Sequence, residues 1–255
     1  MKIDINSDMG EGFGRYQVGD DEGLIDVVSS ANVACGFHAG DAVIMDRTVR
    51  MAKQRGVSIG AHPGLPDLMG FGRRVIQMDK AELEKHLIYQ IGALQAIAAA
   101  AGHRVTHISY HAALGNMAVD DRDTADLMAR AIARIDHNLI VYSMPDTEVE
   151  RATERAGLRA HTLFLADRAY DDRGNLVPRK VPNSVLTSTD VVAKRVQQFL
   201  DDGTVTSIEG EKVKIRARGI LVHSDTPGSV ELARTVRSVV EAGGGVVAPP
   251  SEFLN

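Results

Sequence analysis

Apolar runs of strand length alternate along the chain with stretches whose apolar residues recur every three or four positions. Seven runs predict strands: Lys2–Ser7, Ser30–Phe37, Val57–Ala61, Val105–Tyr110, Leu139–Ser143, Ala160–Leu165 and Gly219–His223. Helices are expected between most of them. Asp41 is placed to cap a helix that Gly56 ends, and Asp79 with Glu82 reads as a capping-box variant for a helix closed by Gly102. Within that helix Leu83, Leu87, Ile91 and Leu94 share one face. Leu127, Ala131 and Ile135 predict the buried face of the next helix, and Val192, Val196 and Phe199 that of a later one. Thr226-Pro227 reads as a cap followed by proline at the first helical position. The alternation predicts an α/β fold of mostly parallel strands with helical crossovers. Seven strands suit a barrel or a doubly wound sheet, and periodicity leaves both open.

Two segments depart from the pattern. Thr204–Ile208 and Val213–Arg216, around Glu209-Gly210-Glu211, predict a β-hairpin insert near 204–216. Its two-sided, charged alternation marks it as a surface flap. Pro63–Arg74 is a loop containing Gly64, Gly70 and Gly72, too long for a simple connector. There is no repeat at solenoid periods and no Pro/Ser-rich linker, so one domain over residues 1–255 is expected.

Composition narrows the function classes. The 255 residues are 44% hydrophobic and 25% charged, the balance of an ordinary globular chain, and the absence of tryptophan makes the core aliphatic. A chain of this length buries roughly 70–75% of its unfolded surface and needs no staples. Lys and Arg number 29 against 34 Asp and Glu, a net charge of −5 that argues against nucleic acid as a partner. No apolar run reaches transmembrane length, so no membrane partner is expected. Met1-Lys2-Ile3-Asp4 carries charges where a signal peptide would be apolar, so a cytoplasmic location is expected. A single cysteine, Cys35, excludes an intramolecular disulfide and a Cys-rich metal site.

The placement of polar residues is more informative. In parallel α/β folds, sites form at the carboxyl ends of strands. The first strand ends at Asp8, followed by Glu11. The second, third and fourth run into His38, His62 and His111. The sixth leads to Asp167 and Arg168, and the last to His223 and Asp225. Each has a bland alternative. Asp8 and Glu11 could cap a turn, and the histidines could be satisfied core imidazoles. Four of nine histidines at strand ends make that coincidence hard to sustain. His86, His103, His107, His137 and His161 lack this placement and read as structural or solvated. Arg73-Arg74 reads equally as a solvated pair or as an anion clamp closing the glycine loop. A His/carboxylate cluster could hold a divalent metal, with Asp8, His38 and His62 as candidate ligands. It could equally work without metal, one carboxylate acting as general base. No GxSxG, Walker A or GxGxxG motif is present.

Several longer strings carry a resemblance. Ile3-Asp4-Ile5-Asn6-Ser7-Asp8-Met9-Gly10-Glu11-Gly12-Phe13-Gly14 is similar to the opening motif of the LamB/YcsF family. So are Ser30–Asp41, Gly60–Asp67, Gly70-Phe71-Gly72-Arg73-Arg74, Asp167-Arg168-Ala169-Tyr170, Leu176-Val177-Pro178-Arg179 and His223–Gly228, in collinear order over nearly the whole chain. The resemblance implies a distorted TIM-like (β/α)7 barrel of glycoside hydrolase/deacetylase type. It implies ATP-dependent opening of a lactam, 5-oxoproline to L-glutamate, by a hydrolase of cyclic amide C–N bonds. This chain would be the barrel subunit beside two carboxylase-like 5-oxoprolinase subunits, with ATP bound in the complex. Homo-oligomerisation stays open. For that chemistry Asp8 and Glu11 are candidates for base or metal ligand. His38, His62 and His111 are candidates to orient water and stabilise developing charge. Arg73, Arg168 and Arg179 are candidates to hold a substrate carboxylate, with Asp225 orienting His223. The chain departs from the family pattern in places. The family's Lys-Pro-His-Gly-Ala-Leu-Tyr is here Ser109-Tyr110-His111-Ala112-Ala113-Leu114-Gly115. The glycine after His223's counterpart is here Ser224, and Pro-Gly-Ala-Val is Pro182-Asn183-Ser184-Val185. The missing lysine removes a point charge that could hold a carboxylate or phosphate. That leaves open another cyclic amide, or a metal-dependent amidase/deacetylase acting without ATP.

Overall fold

The computed structural model describes residues 1–254. Chain order runs β1 (Lys2–Met9), α1 (Asp21–Ile25), β2 (Ser30–Ala34), α2 (Ala42–Arg55), β3 (Ser58–His62), α3 (Lys80–Ala100) and β4 (Val105–Ser109). It continues with α4 (Ala112–Val119), α5 (Arg122–Ile135), β5 (Ile140–Ser143), α6 (Glu148–Arg155), β6 (Arg159–Leu165) and α7 (Thr189–Asp202). A hairpin, β7 (Thr204–Thr206) and β8 (Lys212–Lys214), then precedes β9 (Gly219–Leu221), α8 (Ser229–Ala242) and β10 (Val246–Val247). Strands β1, β2, β3, β4, β5, β6 and β9 pair in that order, all parallel, and β9 pairs back onto β1. This closure decides between the two architectures left open by periodicity: the molecule is a seven-stranded parallel barrel ringed by helices. β10 adds to β1 outside the closed ring, at Lys2 and Ile3.

Strand residues alternate between two faces. Ile3, Ile5, Val33, Ile59, Ile108 and Phe164 join the helices in one buried cluster that includes Leu87, Ile91, Ile132, Val196 and Val236. The alternate residues fill the barrel. In β1 these are Asp4, Asn6 and Asp8, all buried, and they bond to Ser30 and Asn32 of the next strand. In β5, β6 and β9 they are Ile140, Tyr142, Leu163, Leu165 and Leu221, a separate apolar cluster.

The helix caps follow the sequence signals. Asp41 accepts from Val43 and Ile44 amides, and Gly56 ends α2 at φ +68°. Asp79 accepts from the Glu82 amide, while the Glu82 carboxylate turns to within 3.8 Å of His86 rather than back to the cap. Three expectations need correction. The buried face of α5 centres on Met128, Ala129 and Ile132, and Leu127 and Ile135 pack only at its margin. The hairpin is not a two-sided flap: Val205, Val213 and Ile215 are buried against the core, while Thr206, Lys212 and Lys214 face water. Helix α8 begins at Ser229 behind Gly228, because the Thr226 hydroxyl is spent on Asp167 instead of a cap.

Candidate active site at the barrel mouth

The carboxyl ends of β1 to β4 bring four imidazole and carboxylate groups into mutual reach. β1 and β2 pair with Asp8 opposite Asn32. The Asn32 amide donates to Asp8 Oδ1 at 3.0 Å and to Asn6 Oδ1 at 3.1 Å. Its own oxygen lies 3.0 Å from His107 Nε2 and accepts from it. Asp8 is thereby held by an amide that has no freedom to flip.

Glu11 follows on the loop after β1 and is buried. Its Oε2 accepts from the Ser224 hydroxyl at 3.0 Å. Its Oε1 lies 3.3 Å from His38 Nε2, 3.4 Å from His111 Nδ1 and 3.8 Å from His62 Nε2. Burial above all, then the charges of Asp8 and Asp225, raises its pKa well above the usual carboxylate range. His62 Nδ1 donates to the Ser109 carbonyl at 2.6 Å, and its Nε2 sits 2.9 Å from His111 Nδ1. His111 Nε2 donates to the Phe71 carbonyl at 2.8 Å. His38 stacks on His111 with ring centroids 3.7 Å apart. Neither His38 nitrogen has a hydrogen-bond partner among the described residues. Burial lowers the pKa of all three, and for His38 and His111 neighbouring imidazoles lower it further. Glu11, His38, His62 and His111 each offer a ligand atom, and these atoms lie within 4.8 Å of one another. This set overlaps the ligands expected from sequence. His38 and His62 remain, Glu11 and His111 join them, and Asp8 stands aside, 3.5 Å from His62 Nε2.

The glycine loop has a steric purpose. A Cβ on Gly64 would fall 2.4 Å from His38 Nδ1, and one on Gly72 within 2.7 Å of both His38 and His111. Main chain therefore presses directly on the imidazoles and keeps water off them. Arg74 closes this loop by pairing with Asp67 and plays no part at the mouth.

Across the mouth, His223 Nδ1 lies 2.9 and 3.0 Å from the two Asp167 oxygens. Asp167, not Asp225, orients His223. Burial opposes ionisation of Asp167, but His223 and the Thr226 hydroxyl hold its pKa below the usual range. Asp225 instead pairs with Arg73 at 2.5 Å and Arg179 at 3.4 Å. The guanidinium of Arg168 lines the cavity, but its Nε and one terminal nitrogen donate to the Ser184 and Val177 carbonyls. Much of its capacity therefore goes to the loop that carries Arg179.

These groups surround a cavity of about 540 Å³. Asp8, Glu11, His62, His111 and His223 line one side, and Met144, Val149, Leu163, Leu165 and Leu221 the other. His107 and His161 lie buried inside the barrel, with pKa values lowered by burial to about 3. Sequence reasoning missed the roles of Asn32, Ser224 and Asp167. Asn32 acts only because of its register opposite Asp8. Ser224 reaches Glu11 only because β9 closes on β1. Asp167 stands two residues past β6, where the sequence already places a polar residue, but its pairing with His223 depends on the neighbouring strand β9.

The LamB/YcsF family model matches residues 3–255. The chain belongs to the LamB/YcsF family. It is 69% identical to an A-type 5-oxoprolinase subunit of Bradyrhizobium diazoefficiens over 255 residues, covering 100% of each chain. It is 56% identical to the A-type 5-oxoprolinase subunit of Pectobacterium atrosepticum over 254 residues, 100% of this chain and 99% of that one. Among solved structures, the lactam utilization protein from Thermus thermophilus superposes with a TM-score of 0.92 at 40% identity, covering 97% of this chain and 99% of that one. No helix among the described residues is long and apolar enough to cross a membrane.

Proposed function

We propose that the chain is the barrel subunit of a 5-oxoprolinase, opening 5-oxoproline to L-glutamate with ATP hydrolysis and two carboxylase-like partner subunits. The observation that carries the reading is a buried carboxylate–imidazole site facing a paired arginine–carboxylate edge across one cavity. It is supported by full-length relatives named as 5-oxoprolinase subunits of the A type. Hydrolysis of the lactam adds water across the ring C–N bond. The water loses a proton as it attacks the carbonyl carbon, and the departing nitrogen gains one. Asp8, fixed by Asn32, is the base. His223, locked by Asp167 through Nδ1, presents its other ring nitrogen as proton donor to the leaving nitrogen. Arg179 and Arg73 hold the substrate carboxylate, with Asp225 keeping both in place before substrate arrives. Leu163 and Leu221 face the ring methylenes. A five-membered lactam is a stabilised amide, and ATP, handled with the partner subunits, supplies the driving force.

The test is release of L-glutamate from 5-oxoproline by the assembled subunits. Release with ATP and none without it is expected. Release without ATP or partners, from another lactam in a panel, would replace this reading with its rival. That rival is a metal-dependent hydrolase of a different cyclic amide, which the imidazole cluster favours.

A further inference from the structure

The hydrogen bonds of two histidines leave a contradiction. A backbone carbonyl can only accept, so His62 Nδ1, 2.6 Å from the Ser109 oxygen, carries a proton. His111 Nε2, 2.8 Å from the Phe71 oxygen, carries one as well. A neutral imidazole has one N–H. The remaining nitrogens, His62 Nε2 and His111 Nδ1, are then two lone pairs facing each other at 2.9 Å. Glu11 Oε1 and both nitrogens of His38 lack a hydrogen-bond partner among the described residues and are buried. Buried polar atoms are normally satisfied. Here four potential ligand atoms converge on one point, and the lone pairs of His62 Nε2 and His111 Nδ1 face each other within it.

We propose that a divalent cation of the zinc class binds there, held by Glu11 Oε1, His38 Nε2, His62 Nε2 and His111 Nδ1. Zinc–nitrogen and zinc–oxygen bonds of 2.0–2.2 Å in a tetrahedron put neighbouring ligand atoms about 3.3–3.5 Å apart. Four of the six separations are 2.9, 3.3, 3.4 and 3.8 Å, and all six lie within 4.8 Å. Imidazoles that ligate metals typically donate their second N–H to a carbonyl or carboxylate, as His62 and His111 do. A proton shared between His62 and His111 would resolve only that pair and leave His38 orphaned. Four protein ligands close a tetrahedral shell, which is the pattern of a structural centre. The ion fastens the loops after β1, β2 and β4 to the end of β3. Asp8 stays outside and remains free as a base. Binding of the ion does not depend on which amide is opened.

Elemental analysis of the full-length protein, calorimetric titration of chelator-stripped protein with zinc chloride, and melting curves test it without reference to turnover. One ion per chain is expected, with a lower melting temperature after stripping that zinc restores. His38→Gln and His111→Gln should lose the ion, and Asp8→Asn should retain it. Cobalt(II) in the stripped protein should give the intense visible absorption of a tetrahedral site. Absence of an ion from the purified protein together with no heat of zinc binding would overturn the proposal. Loss of the ion in Asp8→Asn with retention in His38→Gln would also overturn it.

Discussion

The barrel interior has two halves built on the same strand alternation but with opposite chemistry. From β1 to β4 the inward residues include Asp4, Asn6, Asp8, Asn32 and His107, tied by direct hydrogen bonds, with His62 beside Asp8. From β5 to β9 they are Ile140, Tyr142, Leu163, Leu165 and Leu221, which contact one another as an apolar cluster, with the single imidazole of His161 beside Tyr142. The polar half is costly to bury unless each group is paired, and that pairing is what fixes Asp8 and the imidazoles in place. The apolar half needs no directional partners. It gives one wall of the cavity low polarity, which strengthens the electrostatics of the other wall. Position is thus built on one side of the barrel, and the medium in which it acts on the other.

Substitutions should separate the halves. The largest effect is expected from Asp8→Asn, which removes the base but leaves the aliphatic core untouched. Turnover should fall by about 10²–10⁴-fold, roughly 3–5 kcal/mol of barrier, while the melting temperature moves by a few degrees. Unfolding of this variant would make Asp8 a structural group. Leu163→Ala, in the apolar half, should show the reverse pattern. Its side chain already borders the cavity, so the cost lies toward the low end for such truncations, about 2–3 kcal/mol in denaturant unfolding, with turnover per folded molecule changed by less than about tenfold.

Buried titratable groups inside the barrel also set the pH response. Burial holds His107 and His161 near 3, against 6.5 for an ordinary imidazole. The folded chain therefore binds fewer protons than the unfolded chain below pH 6.5. Their contribution is present above that pH and is lost on acidification toward 3. Asp4 opposes this. Burial raises its pKa from 3.8 to about 6, so its folded form gains stability as pH falls through that window. Asp21, also raised by burial to about 6, and Glu11 act with Asp4, while burial lowers His38, His62 and His111 as it lowers His107 and His161. Five imidazoles outweigh three carboxylates, and stability should drop between pH 7 and pH 5. A denaturation midpoint that does not move would show that the buried histidines are not held neutral. The smallest effect concerns the seam between the halves. Ala112, directly after His111, sits at φ +34°, where a Cβ is strained. Ala112→Gly should stabilise the protein by about 1 kcal/mol, read as a small rise in melting temperature.

Much of this was legible in the chain. In β1 the alternation of Ile3 and Ile5 with Asp4, Asn6 and Asp8 marks a strand whose polar residues are sheltered, and the histidines at three successive strand ends mark the mouth. Contacts that depend on which strands become neighbours were not legible. Asn32 reads as an isolated polar residue in an apolar run until β2 is set beside β1 in register. Thr226 reads as a cap until Asp167 comes within 2.6 Å of its hydroxyl. Asp225 seemed the natural partner of His223 by proximity along the chain, but the barrel turns it outward to two arginines. The hairpin's buried valines were masked by their charged neighbours, since alternation shows which residues share a face but not whether that face is covered.

The seam between β1 and β9 has a consequence for how the protein is made. Ser7 reaches the Val222 carbonyl and Glu11 reaches Ser224, contacts separated by 215 and 213 positions. Such pairings carry a large loop-closure entropy and slow the search for the native state. While the ribosome is still making the first six strands, Glu11 has no hydroxyl to hold it and the ring has no closing strand. A nascent chain released early therefore carries all four imidazole and carboxylate groups of the cluster, yet lacks the strand that would close the cavity around them.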